Sequence, residues 1–216
     1  MNEINRRQFL VLSGSSLLAS QFAMFGADGE KPFVQADVCV YGATASGIMA
    51  AVAAAREGAS VVIAEPSRWL GGMTGGGLMH IDWGREQAVG GTTRGILKRD
   101  YNDAQYRQAF AALLKEHSIA VIFEHRIASV QREETTIKNI TLDFAPPDKI
   151  GCPVPVAKKR DARRVSAKVF IDCTYEGDLM ARASVSYIYG RESRTLTVNR
   201  SRARNRTWRS MTLIHM

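Results

Sequence analysis

Apolar positions in this chain fall into short blocks whose periods alternate between strand and helix. Asp37-Val38-Cys39-Val40-Tyr41 is a compact β-rich run, as expected of a strand buried on both faces. An Ala-rich stretch from Ile48 to Arg56 follows, with Gly58 placed to end a helix. Ala59 to Ala64 predicts a second buried strand, closed by Glu65-Pro66. Tyr106, Ala109, Phe110, Leu113, Leu114 and His117 recur at helical spacing and predict an amphipathic helix whose stripe packs on a sheet. Ile119 to Phe123 reads as another buried strand. Ile137 to Phe144 alternates apolar and polar residues, as does the run before Arg132, so a β-meander is expected there. Pro146-Pro147-Asp148 breaks it. Lys158 to Arg164 is a basic run, expected to be a solvated hairpin tip. Strands that alternate with helices predict an α/β fold: a parallel sheet with helices, plus the meander.

The turn between the first strand and the first helix carries the candidate chemistry. It reads Gly42-Ala43-Thr44-Ala45-Ser46-Gly47. Gly42 permits a tight turn off the strand, and Gly47 permits close packing of helix on strand. The helix N-terminus then directs its N–H groups at an anion, here a pyrophosphate. Glu65 lies 23 residues after Gly42, near the spacing of about 20 expected of an acid that accepts ribose hydroxyls. Thr44 stands where such fingerprints carry a middle glycine. Its side chain must turn away from the phosphates, or its hydroxyl must contact them. Strand, turn, helix, strand and acid together predict a dinucleotide site. A second glycine cluster, Leu70-Gly71-Gly72-Met73-Thr74-Gly75-Gly76-Gly77-Leu78, follows the acid at once. It allows backbone to approach an extended cofactor closely, whereas a nicotinamide dehydrogenase would usually continue into another helix and strand. The plainer alternative is a flexible surface loop.

Composition narrows the setting. The 216 residues are 45% hydrophobic and 23% charged, which excludes a disordered acidic tail or a fibre. Three Cys build no disulfide framework, and none are in C-x-x-C spacing, which argues against dithiol redox chemistry. The four His are scattered without metal-ligand spacing, so no metal is expected. No apolar run is long enough for a membrane span. The net charge of +8 suggests a nucleic-acid partner until it is divided. Residues 195–216 carry five Arg and no acid, whereas residues 28–194 hold 22 basic and 20 acidic groups. The central domain is therefore almost balanced, and no nucleic acid is expected as a partner.

The two ends read differently from the middle. Residues 1–27 place Arg6-Arg7 before Phe9-Leu10, then a mild apolar stretch from Val11 to Phe25, then Gly26-Ala27. This resembles a bacterial twin-arginine export signal, which implies export to the periplasm or cell envelope. Residues 195–216 show neither helical nor strand period. They are either a basic interaction tail or the out-of-frame end of a truncated gene product, and the second is the expectation.

Val40 to Gly47, Glu65-Pro66-Ser67, Leu70-Gly71-Gly72-Met73-Thr74 and Phe170-Ile171-Asp172-Cys173-Thr174-Tyr175-Glu176-Gly177-Asp178-Leu179 together resemble the bacterial FAD dependent oxidoreductases, of the glutathione-reductase structural type. The resemblance covers about Asp37 to Arg194. It implies a Rossmann-like FAD/NAD(P)-binding fold over residues 28–194, with an incomplete substrate domain, and hydride transfer between a small-molecule substrate and the flavin. Thr is accepted at the middle glycine position in that family. By the resemblance, Gly42, Ala43, Thr44, Ala45, Ser46 and Gly47 would hold the FAD pyrophosphate. Glu65, with Pro66 alongside, would hold the adenosine ribose. Gly71, Gly72 and Met73 would run by the pyrophosphate and ribityl chain. The strand Ile122 to Ile127 would meet the adenine edge at Ile127, and Cys173 and Thr174 would end the strand that returns to the nucleotide. The family has Ala at the Cys173 position. The catalytic residues and substrate are not legible. His80 and Asp82 follow the second glycine cluster, where either one would be near the flavin ring for proton transfer, although a loop His bound to backbone is the commoner outcome. A nicotinamide-binding dehydrogenase domain and a non-catalytic basic binding protein remain as alternatives.

Overall fold

The computed structural model describes residues 33–77 and 84–187. The expected export signal, the basic tail, His80 and Asp82 lie outside the described residues.

One six-stranded sheet organises the chain, in the order β3-β2-β1-β6-β5-β4. β1 (Phe33–Tyr41) leads into helix α1 (Ala45–Arg56), which returns to β2 (Val61–Glu65), parallel to β1. A short helical turn α2 (Thr93–Ile96) and helix α3 (Asp103–Glu116) precede β3 (Ala120–Phe123), parallel to β2. β4 (His125–Glu133) and β5 (Thr136–Phe144) form an antiparallel hairpin, and β5 continues antiparallel to β6 (Lys158–Asp172). A one-turn helix α4 (Asp178–Arg182) follows.

Sequence-local forces explain the helices. Thr44 caps α1 by accepting the Gly47 N–H at 3.2 Å, and Gly58 follows the helix end. Asn102 and Gln105 form a reciprocal capping box at the start of α3. The apolar stripes of both helices, Ile48, Ala51 and Val52 on α1 and Tyr106, Phe110, Leu113 and Leu114 on α3, pack with Val38, Val40 and Ile63 on one face of the sheet. The meander supplies Ile127, Ile140 and Leu142 to the other face, against Cys39, Tyr41, Val62 and Ala64. β2 is therefore buried at all five positions, as a parallel strand covered on both sides must be.

Two expectations need correction. Lys158 to Arg164 is not a hairpin tip. It is the first half of β6, which pairs with β5 at its start and with β1 from Arg164 to Asp172. A basic run is compatible with a strand when its cations reach solvent: Arg164 is exposed beside the buried Val165, and Asp161, at φ +61°, interrupts the regular alternation of this half of β6. The strand expected to span Ile122 to Ile127 is two strands, because Glu124 takes φ +59° and turns the chain from β3 into β4.

β1 also starts four residues before the apolar block that announced it, since Phe33 to Ala36 pair with Arg164 to Ala167. The N–H groups of Asp37 and Val38 both donate to the Ser60 carbonyl, at 3.0 Å each. That bulge shifts the facing of the strand. Val34 and Ala36 point to the meander core, whereas Val38 and Val40 point to the helices. Asp37 sits at the bulge, accepts from Ser60 N at 2.9 Å and Ser60 Oγ at 2.6 Å, and pairs with Lys168 Nζ at 2.7 Å.

Candidate nucleotide site

The parallel strands β1, β2 and β6 end side by side, and the candidate residues gather at those carboxyl ends. Gly42 leaves β1 with φ +100°, and a Cβ there would lie 3.0 Å from the Cys173 carbonyl group. Gly47 is pressed against the turn. A Cβ built on it would lie 2.0 Å from the Gly42 oxygen. Both glycines therefore serve the roles that spacing assigned: a left-handed turn, and close approach of helix to strand.

Thr44 resolves the question raised by the missing middle glycine. Its hydroxyl donates to the Cys173 carbonyl at 2.8 Å, lies 2.9 Å from Ser46 Oγ and accepts the Gly47 N–H. It is 6% exposed. The side chain thus turns into the protein, capping α1 and tying the turn to the end of β6. Cys173 completes the tie, since its N–H donates to the Tyr41 carbonyl at 2.8 Å. Burial pushes the Cys173 thiol up from its ordinary range, so it is held as a thiol rather than a nucleophilic thiolate. Cys39, fully buried mid-strand, is pushed up to about 12 by the same cause.

Glu65, at the end of β2, is buried with both oxygens engaged. Oε2 accepts the Ala43 N–H at 2.5 Å and Oε1 accepts the Ser67 N–H at 2.7 Å. The carboxylate is thereby aimed at the glycine turn, and its remaining lone pairs can still accept hydroxyl donors. Pro66 follows, partly buried.

The second glycine cluster lies against the first. The Gly71 N–H donates to the Ala43 carbonyl at 2.7 Å, and Thr44 and Gly71 form a parallel bridge. Phe110 of α3 packs beneath Gly71. Arg107 of α3 donates to the Gly75 carbonyl, pairs with Asp103 at 2.8 Å and lies 5.1 Å over the Trp69 ring. The Tyr175 hydroxyl accepts the Met73 N–H at 2.7 Å. Residues 71–75 are thus fastened at several points, unlike a free surface loop.

Ile127 lies in β4, buried, with its N–H donated to the Tyr41 hydroxyl at 2.9 Å. The N–H at that position is therefore already engaged within the protein. Burial pushes the Tyr41 phenol far above its ordinary range, aided by the nearby carboxylates of Asp178, Glu65 and Asp172. It acts as a neutral strut between β1 and β4. Thr174 sits in a loop organised by Asp172, which accepts from Thr174 N at 3.0 Å, Thr174 Oγ1 at 2.7 Å and Met180 N at 2.8 Å. Thr174 Oγ1 in turn accepts the N–H groups of Gly177 and Asp178.

Sequence reasoning brought Gly42 through Gly47, Glu65, Gly71, Gly72, Met73, Cys173 and Thr174 to one end of the sheet, and the structure places them there. It missed Tyr41, Phe110, Arg107, Asp172 and Tyr175 as their supports. Phe110 was legible only as core, and Tyr175 only as part of a matching motif.

Comparison with known proteins gives this arrangement its family. Residues 37–212 match the family described as FAD dependent oxidoreductase. The chain belongs to that family. The match continues through residues 195–212, beyond the limit drawn at Arg194 from motifs alone. The cofactor that the family indicates is FAD. No curated protein matches the chain. Among solved structures, the chain is similar to the flavin-dependent brominase Bmp2 (TM-score 0.50, 11% identity, 71% of this chain and 41% of that one). It is similar also to a flavoprotein/dehydrogenase from Cytophaga hutchinsonii (TM-score 0.50, 14% identity, 73% and 44%). At these identities the likeness shows the fold, a Rossmann-like FAD/NAD(P)-binding one. The chain spans less than half the length of either structure.

The residues present fit the cofactor. A positive-φ glycine at the strand end, a helix that begins within three residues of it and a glycine at the contact leave backbone, rather than side chains, facing an anion. Among the described residues no helix is long and apolar enough to cross a membrane.

Proposed function

We propose that this chain is the FAD-holding part of a flavin oxidoreductase acting on a small molecule. One observation carries the reading: the Ala43 carbonyl to Gly71 N–H bond joins the two glycine segments at the N-terminus of α1. That brings the backbone of both glycine segments together at the ends of β1 and β2, an arrangement suited to an extended dinucleotide. FAD, when bound, supplies hydride exchange with the substrate. The chain's own residues do the rest. The first turn of α1 presents to the pyrophosphate those N–H groups that neither the helix nor the Thr44 cap engages. Glu65 accepts ribose hydroxyls while held in place by Ala43 and Ser67. Thr44 and Cys173 fix the turn so that little reorganisation accompanies binding. Residues 1–27 act as a twin-arginine leader that directs the chain to the periplasm or cell envelope.

The test is direct titration. The purified full chain is mixed with FAD, and quenching of flavin fluorescence is followed, with NADH as the competing nucleotide. Saturable FAD binding that NADH does not displace is expected. A colourless chain that never quenches FAD would remove the reading.

A further inference from the structure

Tyr175 is more than half exposed, yet its hydroxyl is placed with care. It accepts the Met73 N–H at 2.7 Å, and a Cβ on Gly72 would lie 2.3 Å from that hydroxyl. Gly72 also takes φ +54°, and its missing Cβ would lie 3.1 Å from Thr44 Cγ2. The hydroxyl of Tyr175, the bare α-carbon of Gly72 and the Thr44 methyl therefore meet at one point, where the second glycine loop crosses the first turn. The backbone that carries Tyr175 is itself fixed. Asp172 binds Thr174 twice and Met180 once, and Thr174 Oγ1 binds Gly177 and Asp178, so residues 172–180 form a closed hydrogen-bonded loop at the end of β6.

We infer that Tyr175 is a positioning residue for the dinucleotide: its hydroxyl clamps Met73 and Gly72 against the Thr44 turn, and so sets the path of the second glycine loop beside which FAD would lie. The inference rests on the FAD reading above. Residues 71–75 have three other ties, but Phe110 and Arg107 hold the α3 side and Ala43 holds Gly71. Met73, itself exposed, has its N–H held by Tyr175. Without the clamp, Gly72 and Met73 would sample more backbone conformations, and binding would have to order them.

The test compares wild type with Tyr175→Phe, which removes one oxygen from a largely exposed ring and is expected to fold, as checked by the thermal midpoint. Amide exchange is measured by NMR without nucleotide, then FAD affinity by fluorescence quenching. Met73 exchange should quicken several-fold while Gly71, bonded to Ala43, is unchanged. FAD should bind about threefold to tenfold more weakly, the range of one net hydrogen bond, with the thermal midpoint held. Unchanged Met73 exchange, or FAD affinity equal to or tighter than wild type, overturns the clamp and leaves the FAD reading standing. A wild-type chain that binds no FAD overturns both.

Discussion

Gly47 offers the sharpest test of the packing beneath the site. It lies in α1, where replacing Gly by Ala would ordinarily stabilise a helix by about 0.8–1 kcal/mol. Here the new Cβ would lie 2.0 Å from the Gly42 oxygen, 3.2 Å from its carbonyl carbon and 3.1 Å from Cys173 Cβ. Ordinary contact begins near 3.4 Å, so α1 and the turn must separate by more than an ångström. The obstructing atoms are mainly backbone and cannot rotate away. Overpacking of this kind costs about 1–3 kcal/mol, and with backbone as the wall the upper end applies. After the propensity gain, Gly47→Ala should lose roughly 2 kcal/mol, or roughly 4–8 °C in thermal midpoint for a chain of this size. Urea unfolding measures the first, and a thermal melt the second. Separation of α1 from the turn also disturbs the Thr44 cap, so FAD affinity should fall with stability. Gly95→Ala is the control, since that position has open space and no positive φ, and it should be neutral or slightly stabilising. If Gly47→Ala proves as stable as wild type and binds FAD equally, the close approach of helix to strand is not what this glycine provides.

Other outcomes follow from the same geometry. Thr44→Gly restores the usual middle glycine but removes the N-cap and the bond to Cys173, so urea unfolding should show a loss of about 1–2 kcal/mol rather than a gain. Phe110→Ala empties a site that is 2% exposed beneath Gly71; it should cost about 3–5 kcal/mol and weaken FAD binding through the loosened loop. Lys168 and Ser60 hold the Asp37 carboxyl well below its usual range. A depressed folded-state value contributes stability that is complete above the unfolded-state value near 3.8 and is lost as pH falls below it. Melts of Asp37→Asn between about pH 2.5 and 7 should therefore show a shallower acid limb than wild type, and identical limbs would remove Asp37 from the acid response. Replacing Arg6 and Arg7 by Lys should leave the chain in the cytoplasm on cell fractionation; unaltered export would dismiss the twin-arginine leader.

The sequence by itself determined the unit from β1 to β2. Its forces are local: a buried apolar strand, a capped helix, a glycine where φ must be positive and an acid at fixed spacing. The turn and packing geometry of Gly42 and Gly47, and the position of Glu65 at the end of β2, were legible because each is set within some two dozen residues of chain. The amphipathic face of α3 and the hairpin of β4 with β5 were legible for the same reason. Tertiary structure decided what depended on distant partners. β1 extends to Phe33 because β6 pairs there, Lys158 to Arg164 becomes strand because β5 pairs with it, and neither segment announces this in its own pattern. Glu124 breaks one expected strand into two because the chain must leave the helix-covered sheet and fold the meander over its other face. The Thr44 hydroxyl bonds a carbonyl 129 residues away, and Tyr175 reaches back 102 residues to Met73. Contacts of that span leave no period in the sequence. They arise when burial of the two core faces brings the ends of β1, β2 and β6 to one edge, where polar groups must find partners as water is excluded.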